Sequence, residues 1–233
     1  MSTISLSDDE KQVYEHVKDY LDSKPFFMLE EIIDFLTHRM SASDFTRLKI
    51  TNLIRALIKK KIIFPGTKLT REDILDVPAR VEIYDYVTAM PGTNINEIIK
   101  NLELGTNQAV WHLKWLEKFG FLRSAKMSNQ KIYFKHDFDE TYDEMFFYLR
   151  NVKVKKIIKA LKDQSESLKP TEISDKLDMH YNTVRKYLGI LKKYNLLMEI
   201  DVEHKKEYLL NPEMLRFVQE VIDNLKYYQW YPY

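Results

Sequence analysis

The segment between Thr93 and Phe134 constrains the fold of this chain more than any other stretch. Asn94 or Asn96 can cap a short helix in which isoleucines recur at helical spacing. Gly105 gives the following turn a permissive backbone, and a second helix then turns one apolar stripe inward. That stripe consists of Ala109, Leu113 and Leu116. The segment therefore predicts two helices joined by a turn of three or four residues.

A β-hairpin is predicted directly after the second helix. Gly120 favours the left-handed conformation that ends a helix, and two short strand-like runs follow, Phe121–Ala125 and Lys131–Lys135. The polar turn Lys126–Gln130 separates these runs and carries basic character to the tip of the hairpin. Two helices followed by such a hairpin form a winged helix-turn-helix, the layout that places its second helix in a DNA major groove.

The same segment carries a family resemblance. The run VWHLKWLEKFGFL, which starts at Val110, resembles the third-helix signature of ArsR/MarR-like regulators. The run VPARVEIYDYVTAMPGTNINEI, which starts at Val77, resembles the opening of archaeal-type transcription regulators with tandem winged helix-turn-helix domains. The resemblance is good over Pro78–Phe134 and weaker on either side. It implies a regulator that binds double-stranded DNA.

Composition narrows the class of protein further. Lys and Arg number 36 against 35 Asp and Glu, so a nucleic-acid surface needs local segregation of charge. The chain has no cysteine, which excludes disulfides and thiolate metal sites and suits a cytoplasmic, nucleoid-associated protein. We see no signal peptide and no apolar run long enough for a membrane span. No nucleophile–base set, phosphate-binding Gly loop or paired metal ligands stand out, so we expect no enzyme, cofactor or metal.

Turn signals and an internal repeat predict three consecutive winged helix-turn-helix domains. Their ranges are residues 1–75, 76–138 and 139–211, with a C-terminal helix and aromatic tail over residues 212–233. A shift of 75 positions (172 − 97) lays the third domain on the second without a gap. The matched pairs include Ile98 and Ile173, Leu102 and Leu177, Asn107 and Asn182, Leu113 and Leu188, Leu116 and Leu191, and Leu122 and Leu197. The fold class is therefore mainly α with small β-hairpin wings.

The helix that leads into the third domain leaves two interpretations open. Apolar residues recur at helical spacing from Asp139 to about Gln164, so one long helix is allowed. Two helices with a break near Asn151 are allowed equally well. After Asn211, a last helix could dimerise or dock on its own chain, and the aromatic tail YYQWYPY could fold back or meet a partner.

Predicted DNA contacts of the second domain lie on its third helix and its wing. Thr106, Asn107 and Gln108 stand in the first turn, where amides can contact adenine, although capping also accounts for Asn107. Trp111 and Lys114 follow on the same helix. The basic residues of the wing are candidates for phosphate contact. They include Arg123, Lys126 and Lys131.

The first domain carries eight basic residues and no acid between Asp44 and Glu72. They are Arg47, Lys49, Arg55, Lys59, Lys60, Lys61, Lys68 and Arg71. A solvated face and a phosphate-facing surface both explain such a run. Arg55 and Lys59, on the predicted third helix, are the DNA contacts that we select here.

The third domain combines a basic helix with a wing of mixed charge. Its predicted DNA contacts all lie on the helix: Asn182, Arg185, Lys186, Lys192 and Lys193. The wing opens with Glu199, Asp201 and Glu203, and these acids argue against phosphate contact by the wing.

Two classes of function remain. The first is a transcriptional regulator that binds DNA through its winged helices. The alternative is a winged-helix interaction adaptor in a multi-subunit complex, a class that the balanced charge and abundant aromatics leave open. The relative placement of the basic helices discriminates between the two classes.

Overall fold

Helices make up most of the chain, and the strands form small antiparallel sheets, so the mainly α fold class is confirmed. The computed structural model describes residues 4–24, 26, 28–41, 44–164, 166–202, 204–214, 216, 217 and 220. The chain divides into two compact units. Unit 1 contains residues 1–84 and 107–122, and unit 2 contains residues 85–106 and 123–233. The predicted division into three winged domains stays a prediction.

The elements follow one another in a simple order. The helices are α1 (Asp8–Ser23), α2 (Leu29–Arg39), α3 (Arg47–Lys59), α4 (Pro78–Ala89), α5 (Ile95–Asn101), α6 (Thr106–Lys118), α7 (Asp143–Leu149), α8 (Val152–Lys162), α9 (Pro170–Leu177) and α10 (Tyr181–Lys193). The strands are β1 (Thr93–Asn94), β2 (Leu122–Met127), β3 (Gln130–Lys135), β4 (Leu197–Val202) and β5 (Lys205–Leu210). Short 3₁₀ turns cover Glu72–Asp76 and Glu140–Tyr142.

Local capping determines where the first helices of unit 1 begin. Ser7 and Glu10 form a reciprocal capping box, in which Ser7 N donates to Glu10 Oε2 at 2.7 Å, so α1 starts at Asp8. The N-cap of α3 is Thr46, whose Oγ1 accepts from Lys49 N at 3.3 Å. The hydroxyl nearest the first helical turn takes this role because it can reach the free amides there.

The core of unit 1 between residues 13 and 63 is an apolar cluster of α1, α2 and α3. Its fully buried members include Val13, Val17, Ile32, Leu36, Ile50, Ile54 and Leu57. After α3 the chain makes a short antiparallel turn in place of a full hairpin. Gly66 turns with a φ of 79°, and a single antiparallel bridge joins Ile63 to Thr70.

Helix α6 ends as its sequence predicts. Gly120 takes a φ of 68°, and its N–H donates to Glu117 O at 3.1 Å. Phe121 N donates to Leu116 O at 2.9 Å, which completes a Schellman motif. The turn before α6 differs from the expectation. Its left-handed residue is Glu103, with a φ of 52°, and not Gly105.

Unit 2 contains a three-stranded sheet in the order β1-β3-β2. Strand β1 pairs with β3 through Thr93 opposite Tyr133 and Asn94 opposite Ile132. Ser128, with a φ of 44°, links β2 to β3 together with Asn129, with a φ of 65°. Two left-handed residues in a two-residue loop form the turn that matches the twist of a hairpin.

The remainder of unit 2 follows the repeat. Asn151 breaks the leading helix into α7 and α8, because its side chain accepts from Lys153 N at 2.9 Å and caps α8. This settles the two interpretations in favour of a break. The second hairpin pairs β4 with β5 from Leu197 opposite Leu210 to Val202 opposite Lys205.

The internal repeat of 75 positions matches residues that lie in the hydrophobic cores. Most matched apolar pairs are buried in both copies: Ile98 and Ile173, Leu113 and Leu188, Leu116 and Leu191, and Leu122 and Leu197. Matching core positions therefore account for most of the sequence identity between the two copies.

The predicted C-terminal helix is described only in part. Residues 212–214, 216, 217 and 220 are helical, and Met214 and Phe217 pack against the apolar core of unit 2. The aromatic tail lies outside the described residues. Along the described part of the chain, the helices are too short or too polar to cross a bilayer.

Candidate nucleic-acid interface

Helix α6 of unit 1 has one buried apolar face and one face exposed to solvent. Ala109, Leu113 and Leu116 are buried as predicted. Asn107, Gln108 and other polar residues on the opposite side are exposed to solvent. The exposed polar set consists of Thr106, Asn107, Gln108 and Lys114. The predicted contact residues of this helix are therefore accessible to a ligand. The two amides among them, Asn107 and Gln108, lie in its first turn.

A buried arginine supports the exposed tryptophan of α6. Trp111 is 49% exposed and packs edge-on against Trp115, with ring centroids 6.1 Å apart. The Arg80 guanidinium lies 5.0 Å from the Trp111 ring centroid and donates from Nη1 to Ile74 O at 3.2 Å. Burial lowers the pKa of Arg80 and also that of neighbouring His112, which the charge of Arg80 lowers further. Trp111 thus packs against Arg80 and Trp115, while about half of its surface stays exposed to solvent.

The hairpin of β2 and β3, called the first wing below, keeps part of its predicted basic surface. Lys126 is exposed near the hairpin turn, and Lys131 is exposed with its ammonium 5.2 Å from the Tyr133 ring centroid. Arg123 differs from the expectation that it contacts phosphate. Its guanidinium faces inward, where it donates to Asp143 at 2.6 and 2.7 Å and to Phe138 O at 2.8 Å. We therefore remove Arg123 from the candidate interface.

Half of the basic residues in the first domain's basic run are paired within unit 1 and are not available to a ligand. Four of its eight cations have partners inside unit 1: Arg47 with Asp34 and Glu30, Lys49 with Asp9, Lys60 with Glu10, and Arg71 with the Phe119 carbonyl. Arg55, Lys59, Lys61 and Lys68 have no carboxylate partner in the described part of unit 1.

Helix α3 presents a face that sequence reasoning did not select as a whole. Arg55 and Lys59 are exposed, and two further exposed residues, Leu48 and Asn52, continue their stripe at helical spacing. Leu48 is 72% exposed. The spacing of these four residues along α3 was the signal that could have found Asn52.

Helix α10 of unit 2 exposes all five predicted contacts, but two of them are ion-paired. Lys192 Nζ lies 2.9 Å from Glu199 Oε2, and Lys193 pairs with Glu144 on α7. Asn182, Arg185 and Lys186 are exposed, and neither cation of this group has a carboxylate partner among the described residues. Free positive charge on α10 is therefore concentrated at its first turns.

Glu199, the first acid of the β4–β5 hairpin, is neutralised by neighbouring residues. Glu199 accepts hydrogen bonds from Lys192, Lys206 and Tyr208, and these lower the pKa of its carboxyl to about 2, with Lys192 the largest cause. Hydrogen bonds and positive charge both favour the ionised form of a carboxyl. Glu199 is thus paired within the protein. Lys192 and Lys206, which could otherwise contact phosphate, are its partners.

Comparison with known proteins addresses the same region. Residues 78–145 match the HVO_0163 N-terminal HTH domain. The matched range runs from α4 to the start of α7, so it contains α5, α6 and the first wing. The match supports the helix-turn-helix predicted here.

One relative extends the similarity beyond the HTH domain. Over 208 residues the chain is 27% identical to a Methanocaldococcus jannaschii protein named as an uncharacterized HTH-type transcriptional regulator, MJ1398. The match covers 88% of this chain and 52% of the relative, so the chain spans about half the length of that protein. In the described ranges of this chain, no three His, Asp or Glu side chains cluster as metal ligands.

Proposed function

We propose that this protein is a DNA-binding transcriptional regulator and not an enzyme. The observation that carries the proposal is the match of residues 78–145 to an HTH domain whose second helix exposes amides in its first turn. In helix-turn-helix proteins the N-terminal residues of that helix contact base edges in the major groove. Asn107 and Gln108 occupy this position in α6, and their amides suit adenine.

Three groups of cations would supply the sequence-independent part of the affinity. They are Lys126 and Lys131 on the first wing, Arg185 and Lys186 on α10, and Arg55 and Lys59 on α3. Each phosphate contact releases condensed counterions, so local positive patches suffice on a chain of balanced charge. The protein would act in the cytoplasm, on nucleoid DNA, as an ArsR/MarR-like regulator.

Selection from a pool of random duplexes by the purified chain, at low and moderate salt, tests this function. We expect enrichment of a defined site and an affinity that falls steeply with salt. Fluorescence anisotropy on the enriched duplex and on a scrambled duplex then measures the specificity ratio. A chain that enriches no sequence and binds no duplex at low salt contradicts the proposal.

One observation favours the alternative function of an interaction adaptor. Met198, Ile200 and Val202 alternate along β4 and share one face, and each is 38–40% exposed. An exposed apolar strand face is typical of a surface that meets another protein. Light scattering of the free chain and of Ile200→Asp tests whether this face forms a homodimer, the state that a dimeric regulator would also need.

A further inference from the structure

Val110 is an apolar residue on the exposed face of α6 and lies outside the contacts predicted from the sequence. It is 49% exposed. It follows Asn107 by three residues and precedes Lys114 by four, so the three side chains are neighbours on one face of the helix. An exposed amide therefore lies one turn before Val110, and an exposed ammonium lies one turn after it. The face that the proposed function assigns to base readout thus contains an apolar side chain.

The buried side of α6 fixes this orientation of Val110. Ala109, Leu113 and Leu116 are at most 1% exposed and hold the helix against the core of unit 1. With about 3.6 residues per turn, a rotation of α6 that buried Val110 would turn Leu116 towards solvent. Val110 therefore stays exposed as long as the core keeps its present register.

The internal repeat shows what the equivalent position carries in the other copy. The shift of 75 positions that lays α6 on α10 pairs Val110 with Arg185 (185 − 110) and Trp111 with Lys186 (186 − 111). All four residues are exposed, and the two helices bury the same core positions of the repeat. The same outward position therefore carries a cation on α10 and an apolar side chain on α6.

The two kinds of side chain suit different partners in a DNA groove. Water solvates an exposed cation, whereas an exposed valine gains free energy only when it meets another apolar surface. In the major groove the base edges present hydrogen-bond donors and acceptors, and the apolar group among them is the C5-methyl of thymine. A helix that brings Asn107 to these edges brings Val110 there as well. The chemistry of Val110 thus matches thymine, as the amide of Asn107 matches adenine.

We propose that Val110 determines specificity for thymine by contacting its C5-methyl group, an assignment that rests on the proposed function. The contact distinguishes thymine from cytosine, which carries no methyl group at that carbon. It involves no hydrogen bond, so loss of the methyl group weakens binding without changing the donors and acceptors of the base.

Replacement of single thymines by deoxyuridine in the selected duplex tests this contact. Deoxyuridine lacks the methyl group but keeps the O4 acceptor, so only the apolar contact is lost. Fluorescence anisotropy with the full chain measures each duplex, with substitutions outside the selected site as controls. We expect a loss of about three- to fivefold at one position, the effect of burying one methyl group. A selected site in which no thymine is sensitive overturns the proposal.

Variants of Val110 identify the side chain that contacts the methyl group. Val110→Ser removes both side-chain methyl groups and should bind the thymine and deoxyuridine duplexes equally, whereas Val110→Ile should keep the difference. Val152→Ser on α8 is the matched control, because Val152 is also exposed and lies outside the predicted contacts. Melting temperatures verify that each variant folds. If Val110→Ser keeps the difference between the two duplexes, another residue contacts the methyl group and the proposal is overturned.

5-Methylcytosine provides an independent measurement at the sensitive position. A G·C pair placed there should bind more weakly than the A·T pair. Methylation of its cytosine should recover about three- to fivefold in affinity for the unmodified chain and nothing for Val110→Ser. Absence of recovery in the unmodified chain, or an equal recovery in the variant, overturns the proposal.

The outcomes separate this inference from the proposed function. If Gln108→Ala changes the base preference but every deoxyuridine duplex binds normally, the chain is a DNA-binding regulator in which Val110 contacts no thymine. If the unmodified chain binds no duplex, the proposed function fails and this inference fails with it. If Val110→Ser leaves DNA binding unchanged but lowers the mass of an oligomer in light scattering, Val110 belongs to a protein contact and the proposal is overturned.

Discussion

Arg123 donates two hydrogen bonds to Asp143, at 2.6 and 2.7 Å, and thereby joins the first wing to the first turn of α7. Both side chains are nearly buried, with exposures of 12% and 7%. The guanidinium also lies 4.8 Å from the Phe134 ring centroid. A cation that looked like a phosphate contact therefore belongs to the interior of unit 2.

Removal of this cation should affect stability. We expect Arg123→Ala to lower the free energy of unfolding by about 3–5 kcal/mol, because it leaves the Asp143 carboxylate buried and unpaired. Arg123→Lys should recover only part of the loss, since an ammonium lacks the planar fork. Urea unfolding measures both, with Lys126→Ala on the same hairpin as control. A loss below about 1 kcal/mol for Arg123→Ala contradicts this assignment.

Gln108 is predicted to read a base. Gln108→Ala should change the preferred base at one position of the selected site, with a discrimination of about 1–3 kcal/mol. Lys114→Ala on the same helix serves as the matched control, and it should weaken all duplexes equally. Anisotropy on single-base variants of the site measures both. An equal loss on every duplex would reassign Gln108 to backbone contact.

The first wing is predicted to bind phosphate through its two exposed lysines. The double variant Lys126→Ala with Lys131→Ala should weaken specific and scrambled duplexes alike and reduce the slope of log affinity against log salt by ~1–2. Lys135→Ala is the control, since its ammonium lies 3.0 Å from Asp137 Oδ2. If the slope of the double variant equals that of the unmodified chain, this wing does not contact the backbone.

Helix α10 allows a comparison between free and paired cations. Arg185→Ala with Lys186→Ala should lower the affinity for all duplexes and reduce the salt slope. Lys192→Ala with Lys193→Ala removes the same charge but should do less, because these lysines already neutralise Glu199 and Glu144. The wing pair Lys205→Ala with Lys206→Ala should also do less. A larger effect of either second pair would show that the third domain contacts DNA differently.

The lowered pKa of Glu199 predicts how the stability of the folded state depends on pH. Its pKa is lowered in the folded state to about 2, from an ordinary value of 4.5. Its contribution to stability is therefore complete above pH 4.5 and is lost as pH falls towards 2. We expect Glu199→Gln to cost about 0.5–1 kcal/mol at pH 6, the range of partly exposed ion pairs, and progressively less below pH 4. A cost that stays constant down to pH 2.5 in thermal unfolding contradicts this ion-pair contribution.

The sequence by itself determined the helices, most caps and the hairpins, because these depend on neighbours within a few residues. The periodic apolar residues of α6, the Ser7 capping box and the Gly120 helix end all lie where local rules put them. The burial of the matched apolar residues in both copies of the repeat follows from the same helical periodicity. The HTH region was accessible from the sequence for this reason.

Only the tertiary structure decided which charges are free. Asp143 lies 20 residues from Arg123, Glu144 lies 49 from Lys193, and Glu97 lies 53 from Arg150. Such pairs form when packing brings distant segments within about 4 Å, and no local spacing encodes that approach. Secondary structure follows from residues close in sequence, whereas electrostatic partners follow from residues close in space.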